Sequence, residues 1–482
     1  MARELAVIRS TADVLGWDQE TYLPPTAARY RADQLSWLSA RAHELATSGE
    51  WRDALALAEQ QDQGDDPLLG ANLRRMRKDS DRAARIPVEL VARETEASSL
   101  AKHAWADARQ RSDFSLFAPH LETLVQIARE KAGLWGFSGE PYDALLEGYE
   151  SGATTAEVAS LFEGMTHALR EISAAAVEKS AANPVALPDG PYPIAGQKKF
   201  NARIAESIGF DFSAGRIDTT AHPFCTTLGP ADVRLTTRYN ERDFTSSLLG
   251  VLHEAGHGMY EQGLPASDFG LPSGSAASLG IHESQSRLWE NHVGRSAAFW
   301  ETWYPVACET FPQLTAMPPE KFLRYLHRAA FSPIRVEADE ATYDLHILLR
   351  FAIERRLISG EIEVKEVPAI WNEMFRASFG FSPPDDARGC LQDIHWSMGG
   401  LGYFPTYTLG NIHAARLFAA ANENAEISAA TRRANYAPLL GWLRENIHAR
   451  GATMDSPQLI EAATGSPPTT THYLTHLRNT YL

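Results

Sequence analysis

The stretch GVLHEAGHGMY, residues Gly250 to Tyr260, carries two histidines four positions apart and a glutamate directly after the first. Residues four apart on a helix share a face, so His253 and His257 would project together and offer two imidazoles to one ion. Glu254 would be rotated by about 100° from His253, which is wrong for binding the same ion but right for reaching a water molecule beside it. Two ligands with a neighbouring base are typical of metal-assisted hydrolysis.

The residues around this motif predict a helix. Asp243 and Thr245 are suitable caps for the run SSLLGVLHEAGHGMYEQG that follows them. Apolar residues recur in this run at helical spacing and would face the core: Leu248, Leu252, Ala255 and Met259. The two histidines fall on a neighbouring stripe of the same helix, where a cleft could open beside the core.

Three glycines inside the predicted helix, Gly250, Gly256 and Gly258, are unusual because each costs about 1 kcal/mol relative to alanine. Glycines at such positions indicate a close approach of another backbone or room for a ligand. A helix with two unrelated histidines is the alternative interpretation of the motif. A third metal ligand elsewhere in the chain is needed to exclude that alternative.

The amino-acid composition and net charge limit the kinds of molecule that the protein can bind. Hydrophobic residues make up 44% of the 482 and charged residues 22%, which are the proportions of a soluble globular protein. Lys and Arg together number 45 and Asp and Glu 61, so the formal net charge is −16. No basic patch is available to neutralise phosphates, and this acidic excess argues against nucleic acid as a partner.

The cysteines and the apolar runs predict where the protein works. Cys225, Cys308 and Cys390 are too few and too scattered for a disulfide framework, so we expect reduced thiols in a cytoplasmic protein. The N-terminal residues mix acidic with apolar side chains, unlike a secretory signal. No uninterrupted run of about 18 apolar residues occurs, and no membrane span is expected.

Most of the chain has the periodicity of helices. Segments such as ARYRADQLSWLSARAHELATSG and ATYDLHILLRFAIERRLISG repeat apolar residues at helical spacing and end in glycine. The clearest strand candidate is DVRLTTRY, Asp232 to Tyr239, which alternates and is rich in β-branched residues. We therefore expect a mostly α fold with two lobes, built as a single unit over residues 1–482. Residues 1 to about 110 are a candidate helical lid within it.

A second predicted helix, SLGIHESQSRLWENHVG, offers candidates for the third metal ligand. Glu283, Arg287 and Glu290 would lie on one stripe of it. By residue type alone, the possible ligands are His282, Glu283, Glu290 and His292. Sequence spacing does not choose among them, and a solvated or salt-bridged side chain is the usual situation of a helical glutamate.

The two motifs together resemble the carboxypeptidase Taq family of metallocarboxypeptidases, peptidase family M32. HEAGH is followed by HESQS at residues 282–286, and LGWDQETYLPP near the N-terminus is similar to the opening of that family. Further similar segments occur in the family's order: PYDALLEGYESG, GRIDTTAHPF, DVRLTTRY, SPIRVEAD, GCLQDIHW and GYFPTYTLGN. The resemblance implies a fold like that of neurolysin and angiotensin-converting enzyme. That fold is a large helical two-lobed body with a deep active-site groove and a small β-sheet beside the metal.

The resemblance also implies roles for individual residues. His253 and His257 would bind the metal with Glu283 as third ligand, and Glu254 would be the general base. The groove would be lined by four further motifs, HPF, DxRxT, IRxxAD and GxxQDxHW. Among their residues we expect the substrate-binding side chains and one further catalytic candidate: His222, Arg234, Arg335, Asp339 and His395.

Two tasks in peptide hydrolysis need further donors. A tetrahedral oxyanion needs a hydrogen-bond donor, and Tyr403 and Tyr407 on a glycine-flanked loop are the candidates, although tyrosines are usually packing residues. A free terminal carboxylate suits a guanidinium fork, for which Arg335 is the first candidate, with Arg234 and His395 as alternatives. An ion pair of Arg335 with Asp339 is the structural alternative.

Further elements would complete or surround this site. The strand DVRLTTRY is a candidate edge for an extended substrate. We interpret His346 and His413 as packing residues.

These observations and the resemblance favour a cytoplasmic, zinc-dependent metallocarboxypeptidase that binds one ion per chain and acts on peptides with broad preference. The resemblance alone implies that it pairs as a homodimer. Co²⁺ or Mn²⁺ could fill the same ligands. A metal-dependent endo-oligopeptidase is the alternative enzyme. A non-catalytic helical peptide-binding scaffold is the alternative from another class, although a merely structural metal site would not need Glu254.

Overall fold

Helices dominate the protein, whose structure, a computed structural model, describes residues 1–482. The first ten are α1 (Ala2–Thr21), α2 (Ala28–Thr47), α3 (Gly49–Gln61), α4 (Pro67–Ala84), α5 (Val88–Arg111), α6 (Ala118–Trp135), α7 (Pro141–Leu146), α8 (Thr155–Ala182), α9 (Ile194–Ile208) and α10 (Phe244–Gly263). The others are α11 (Leu279–Arg287), α12 (Ala297–Thr310), α13 (Pro319–Leu326), α14 (Glu340–Ser359), α15 (Val367–Phe379), α16 (Pro405–Asn422), α17 (Ala425–Thr431), α18 (Ala437–Asn446), α19 (Ser456–Thr464) and α20 (Thr471–Tyr481). No helix combines the length and the apolar character needed to cross a bilayer.

A small sheet of three strands interrupts the helices between α9 and α10. Its strands are β1 (Gly215–Thr219), β2 (Cys225–Thr227) and β3 (Val233–Thr237), in the spatial order β1-β3-β2. β1 runs parallel to β3 and β2 antiparallel to it, so both outer edges belong to β1 and β2. The predicted strand therefore exists as β3, but the prediction that it offers a free edge is wrong, because it has a partner on each side. The mostly α fold with one small sheet is confirmed.

The chain forms two compact units, and it passes between them several times. The first unit contains Met1–Ala83, Val185–Leu326 and His413–Pro468, and the second contains the remaining segments. The segment predicted as a lid, residues 1–110, contributes to both units. The motion of this segment as a lid stays a prediction, and so does the organisation of residues 1–482 as a single unit.

In the first unit, α10 lies in an aromatic core. Its cap is Asp243, whose carboxylate accepts a hydrogen bond from the backbone N–H of Thr245, as predicted. The four apolar residues predicted to face the core, Leu248, Leu252, Ala255 and Met259, are completely buried. Phe244, at the start of α10, lies 4.7 Å from Phe311 between ring centroids. This buried apolar surface holds α10 firmly, since each large side chain contributes about 1.5–3 kcal/mol.

In the second unit, α14 is buried along most of its length and carries four buried charged residues, Glu340, Asp344, Arg350 and Glu354. The first two anchor the C-terminal helix α20. Asp344 accepts a hydrogen bond from the hydroxyl of Tyr473, and Glu340 forms an ion pair with a histidine of α20. The other two, Arg350 and Glu354, have partners outside α20.

Candidate active site

Three potential metal ligands of the first unit converge at the contact of α10 and α11. The Oε2 atom of Glu283 lies 3.6 Å from Nε2 of His253 and 3.4 Å from Nε2 of His257. All three ligand atoms lie within 4.8 Å of one another. Tetrahedral ligands at about 2.1 Å from a zinc-sized ion are separated by roughly 3.4 Å, so this donor set fits such an ion. Of the four possible third ligands in α11 and the residues after it, the structure brings Glu283 to this point.

Gly256 explains how α11 comes so close to α10. A Cβ atom built at this position would lie 2.5 Å from the carbonyl oxygen of Gln285 and 2.6 Å from Cα of Ser286. Such distances to backbone atoms are below any normal contact, so only glycine allows the two helices to touch here. The prediction of a close backbone approach is confirmed at Gly256, which lies between the two histidines.

Each histidine of the pair is held from behind through its Nδ1 atom. Nδ1 of His253 lies 2.9 Å from Oε2 of Glu290, which belongs to a π-helical turn, Leu288–Val293, that continues α11. The wider turn carries Glu290 toward α10, and such turns are frequent at functional sites. Because Nδ1–H donates to this carboxylate, Nε2 of His253 keeps its lone pair for a cation.

His257 is oriented by a longer chain of hydrogen bonds. Its Nδ1 lies 2.5 Å from Nδ1 of His282, and Nε2 of His282 lies 2.8 Å from Oε1 of Glu261. The second oxygen of Glu261 accepts a hydrogen bond from the hydroxyl of Thr227 at 2.7 Å. Since His282 Nε2–H donates to Glu261, its Nδ1 accepts from His257, and Nε2 of His257 is left as the ligand atom. We name Glu261, His282 and His257 the histidine relay.

Sequence reasoning missed the role of this relay. His282 and Glu290 were candidate ligands by type, whereas the structure places them behind the two histidines. Glu261 was not singled out, although its position four residues after His257 puts it on the same stripe of α10. That spacing was the available signal, because metal-binding histidines commonly donate their second nitrogen to a carboxylate.

The two histidines differ in their electrostatic surroundings. Burial disfavours a charge on His253, but the carboxylates of Glu283 and Glu290 outweigh burial and raise the pKa of His253 to about 9. Burial and the neighbouring His282 lower the pKa of His257 to about 3. A cation at this point would replace the positive charge that the carboxylates attract.

The acidic groups of the site also divide into two kinds. Burial raises the pKa of Glu254 to about 7, against the attraction of His253, and the side chain is only 6% exposed. Burial acts on Glu283 in the same sense, but Arg287, which donates to it at 2.7 Å, and the histidines hold the pKa of Glu283 well below its usual range. One carboxylate is therefore kept ionised for a cation, while its neighbour can change protonation near neutral pH.

In the second unit, Arg335 belongs to a buried cluster around Asp393. Its Nε and Nη2 atoms donate to Oδ1 of Asp393 at 2.9 and 2.8 Å, and its Nη1 donates to the hydroxyl of Tyr343. Arg350 donates to the other oxygen of Asp393 at 2.7 Å. The structural alternative, an ion pair of Arg335 with Asp339, is not formed, since Asp339 immediately precedes α14 and accepts a hydrogen bond from the backbone N–H of Ala330. Two guanidinium groups on one carboxylate leave a buried excess of positive charge.

The aromatic candidates lie beside this cluster. Nε2 of His395 is 3.2 Å from the hydroxyl of Tyr407, and Arg335 lies over the Tyr407 ring at 5.0 Å. The rings of Tyr403 and Tyr407 are 5.4 Å apart, and both residues are partly exposed. Tyr407 occupies the first turn of α16, while Tyr403 precedes that helix, so only Tyr403 lies on the loop where both were expected. The structure thus brings four predicted residues of this unit together.

The remaining candidates lie on or near the sheet. Arg234 of β3 donates two hydrogen bonds to Asp232 and lies over the ring of Trp17 at 4.2 Å from its centroid. His222 is exposed in the connection between β1 and β2. Arg234 is therefore engaged in fastening α1 to the sheet, a contact that spans more than two hundred residues and was not predicted.

Comparisons with known proteins agree along the whole chain. The family model of Carboxypeptidase Taq (M32) metallopeptidase matches residues 1–481. The chain is 40% identical to thermostable carboxypeptidase 1 of Thermus thermophilus, over 99% of this chain and 96% of that protein. Among solved structures, an M32 carboxypeptidase of Deinococcus radiodurans is similar with 37% identity and a TM-score of 0.95, covering 100% of this chain and 97% of that one. Metallocarboxypeptidase 1 of Trypanosoma cruzi is similar with 35% identity and a TM-score of 0.94, covering 100% and 99% of the two chains. The chain therefore belongs to the carboxypeptidase Taq (M32) family of metallopeptidases.

Proposed function

We propose that this metallopeptidase removes residues from the C-termini of peptides with broad preference, with one zinc ion per chain and Glu254 as general base. The observation that carries the proposal is the convergence of His253, His257 and Glu283 on one point, with the buried Glu254 next to the first ligand. A merely structural site would have a fourth protein ligand and no need of a base.

His253, His257 and Glu283 would hold the ion through two neutral nitrogens and one carboxylate oxygen. This donor set is usual for catalytic zinc, and Co²⁺ or Mn²⁺ can occupy it as well. When bound, the ion supplies Lewis-acid polarisation of the peptide carbonyl and lowers the pKa of water toward neutrality. The contribution of the protein is to hold the ligands at the required separation and to keep each imidazole in the right tautomer.

Glu254 would take a proton from the attacking water and deliver it to the leaving amine. A carboxyl whose pKa is raised to about 7 can both accept and release that proton near neutral pH. General acid–base help of this kind is worth about 10²–10⁴ in rate.

Tyr403 or Tyr407 would donate a hydrogen bond to the oxyanion of the tetrahedral intermediate. Their partial exposure and their place beside Arg335 and His395 support this role. Removal of one such donor costs about 10²–10³ in kcat. Replacement of each tyrosine by phenylalanine, with kcat compared at equal metal content, tests which of them is the donor.

Arg335 would bind the free carboxylate of the substrate. The support is the charge of its cluster, because two buried arginines share the single carboxylate of Asp393 and attract a second anion. A conservative Arg335→Lys change removes the planar fork but keeps the charge. We expect KM for free-acid peptides to rise at least tenfold in this variant, since a bidentate contact is lost.

Defined peptides separate the proposal from its alternatives. A carboxypeptidase yields a ladder of products shortened from the C-terminus and does not cleave the C-terminal amide of the same peptide, whereas an endo-oligopeptidase cleaves both internally. Mass spectrometry of the products distinguishes these outcomes. A chelator should abolish the activity and added Zn²⁺ or Co²⁺ should restore it, which a non-catalytic scaffold would not show.

We also propose that the protein works in the cytoplasm as a homodimer. The support is the resemblance to the family and the three cysteines, none of which forms a disulfide. Light scattering on the purified protein tests the assembly, since a dimer has twice the chain mass of 53.1 kDa.

A further inference from the structure

Glu354 is a buried carboxylate in the second unit that the proposed mechanism does not use. It lies on α14 and has no exposed surface. Its Oε1 atom accepts a hydrogen bond from Nε1 of Trp396 at 2.7 Å. Its Oε2 atom accepts two more, from the hydroxyl of Tyr142 at 2.6 Å and from the backbone N–H of Gly402 at 3.0 Å. Each carboxylate oxygen therefore accepts at least one hydrogen bond from the protein, and neither oxygen is exposed to solvent.

The three donors come from separate parts of the chain. Tyr142 lies in the first turn of α7, Trp396 lies in the 3₁₀ turn His395–Met398, and Gly402 immediately precedes Tyr403. One carboxylate thus joins three segments that are distant in sequence. Two of the three donors are the direct chain neighbours of His395 and Tyr403, so a shift of either donor moves a side chain of the candidate site.

The backbone at Gly402 is tied to α7 as well as to Glu354. Its φ of +97° belongs to the left-handed region that favours glycine, and a Cβ atom there would lie 3.0 Å from the backbone carbon of Leu145. The loop therefore has a single close-packed path at this point. The hydrogen bond from Gly402 to Glu354 fixes the direction in which the chain continues into Tyr403 and the first turn of α16.

The path of the loop at Gly402 determines the ring contacts of Tyr403. The ring of Tyr403 meets Tyr149 at 5.3 Å and His395 at 5.1 Å between centroids. Both contacts depend on where the chain leaves Gly402. A buried carboxylate is destabilising unless its lone pairs are satisfied, and an apolar side chain of equal size would leave three buried donors without an acceptor.

We infer that Glu354 is a positioning residue, which holds the loop before α16 and thereby fixes the positions of Tyr403 and Tyr407, the two proposed oxyanion donors. The inference rests on the proposed role of these tyrosines. Glu354 acts through Gly402 and Trp396 and touches no substrate.

Glu354→Gln tests the inference, because the amide keeps the shape but offers only one acceptor oxygen and sets an NH₂ group against a donor. The matched control is Glu340→Gln on the same helix. Glu340 is also buried and accepts hydrogen bonds from His476 and Tyr481, both on α20. We expect kcat to fall at least tenfold in Glu354→Gln, with unchanged metal content and with faster hydrogen exchange at the amide of Gly402. Glu340→Gln should keep kcat within twofold of wild type even where its Tm falls.

A double-mutant cycle separates positioning from general destabilisation. If Glu354 acts through a tyrosine, its replacement should cost little further kcat in the Tyr403→Phe or Tyr407→Phe background that has already lost the donor. Additive losses in both backgrounds, or a wild-type kcat in Glu354→Gln, would overturn the inference while leaving the tyrosine role intact. Retention of kcat in both phenylalanine variants would instead overturn the tyrosine role, and the inference with it.

A milder variant guards against a failure to fold. Tyr142→Phe removes one of the three donors and leaves the bonds of Trp396 and Gly402 in place. We expect a folded protein whose kcat lies between those of wild type and Glu354→Gln. A Tyr142→Phe variant in which the Gly402 amide exchanges faster while kcat is unchanged would contradict the link between this loop and the reaction.

Discussion

Gly256→Ala adds a single methyl group at the contact that brings α10 and α11 together. The new Cβ atom would lie 2.5 Å from the carbonyl oxygen of Gln285, whereas ordinary van der Waals contact begins at 3.4 Å. The helices would have to separate by the difference, 0.9 Å, because the obstructing atoms are backbone. Glu283 lies two residues before Gln285 and would move with it.

The stability change should be small and the functional change large. Alanine stabilises a helix by about 1 kcal/mol relative to glycine, and overpacking costs about 1–3 kcal/mol. The net loss in the free energy of unfolding is therefore about 0–2 kcal/mol. A shift near 1 Å, however, would open the 3.4 and 3.6 Å separations between Glu283 and the two histidines beyond what one ion can span. Misplacement of this size costs on the order of 10² in rate.

The assay is the metal affinity, measured by competition with a chromogenic chelator, together with kcat/KM at saturating metal. Gly250→Ala is the matched control on the same helix, since its Cβ would meet only the hydroxyl of Thr237 at 3.4 Å. We expect the control to keep its metal affinity and to gain up to about 1 kcal/mol of stability. A folded Gly256→Ala protein with metal affinity and kcat/KM within twofold of wild type would refute the reasoning.

Three further predictions concern the base, the histidine relay and the buried arginine cluster. Glu254→Gln should retain its metal after dialysis, by elemental analysis, and lose about 10²–10⁴ in kcat, because only proton transfer is removed; turnover near wild type would exclude the role. His282→Gln breaks the relay behind His257, and its metal affinity should fall about 10–100-fold in chelator competition; an unchanged affinity would show that the relay does not orient the ligand. Asp393→Asn leaves two buried guanidinium groups without their carboxylate and should lower the free energy of unfolding in urea by about 3–5 kcal/mol. Burial acts to raise the pKa of Asp393, but the two arginines outweigh it and hold that pKa well below its usual value of about 3.9. The stabilisation by Asp393 is therefore complete above that usual value and is lost as the pH falls toward the lower folded value. The pH dependence of unfolding below pH 4 should accordingly be flatter in Asp393→Asn than in wild type, and parallel profiles would contradict this assignment.

Local sequence patterns predicted the helix that carries His253 and His257, and they predicted the close backbone approach at its Gly256. The cap at Asp243, the buried face of α10 and the close approach at Gly256 all follow from spacing within about twenty residues. Such features depend on neighbours along one helix, and the sequence contains them directly.

Pairings across long sequence separations were not accessible in the same way. β3 was expected at an edge, but strand order depends on which segments β1 and β2 become. The structural alternative for Arg335 was an ion pair with Asp339 one turn away, whereas its partner Asp393 is 58 residues distant. The choice between a nearby carboxylate and a remote one of equal charge is decided by tertiary packing, which residue type and spacing do not describe.

The three metal-ligand candidates lie within thirty-one consecutive positions of the first unit, whereas the arginine proposed to recognise the substrate belongs to the second. On the proposed roles, holding the ion and gripping the terminal carboxylate are divided between separate parts of the chain. Mutations in the second unit could then alter how a peptide is bound without weakening the hold on the metal. For protein engineers, libraries that vary peptide binding are best confined to that unit, with Arg335 and the segment from His253 to Glu283 left untouched.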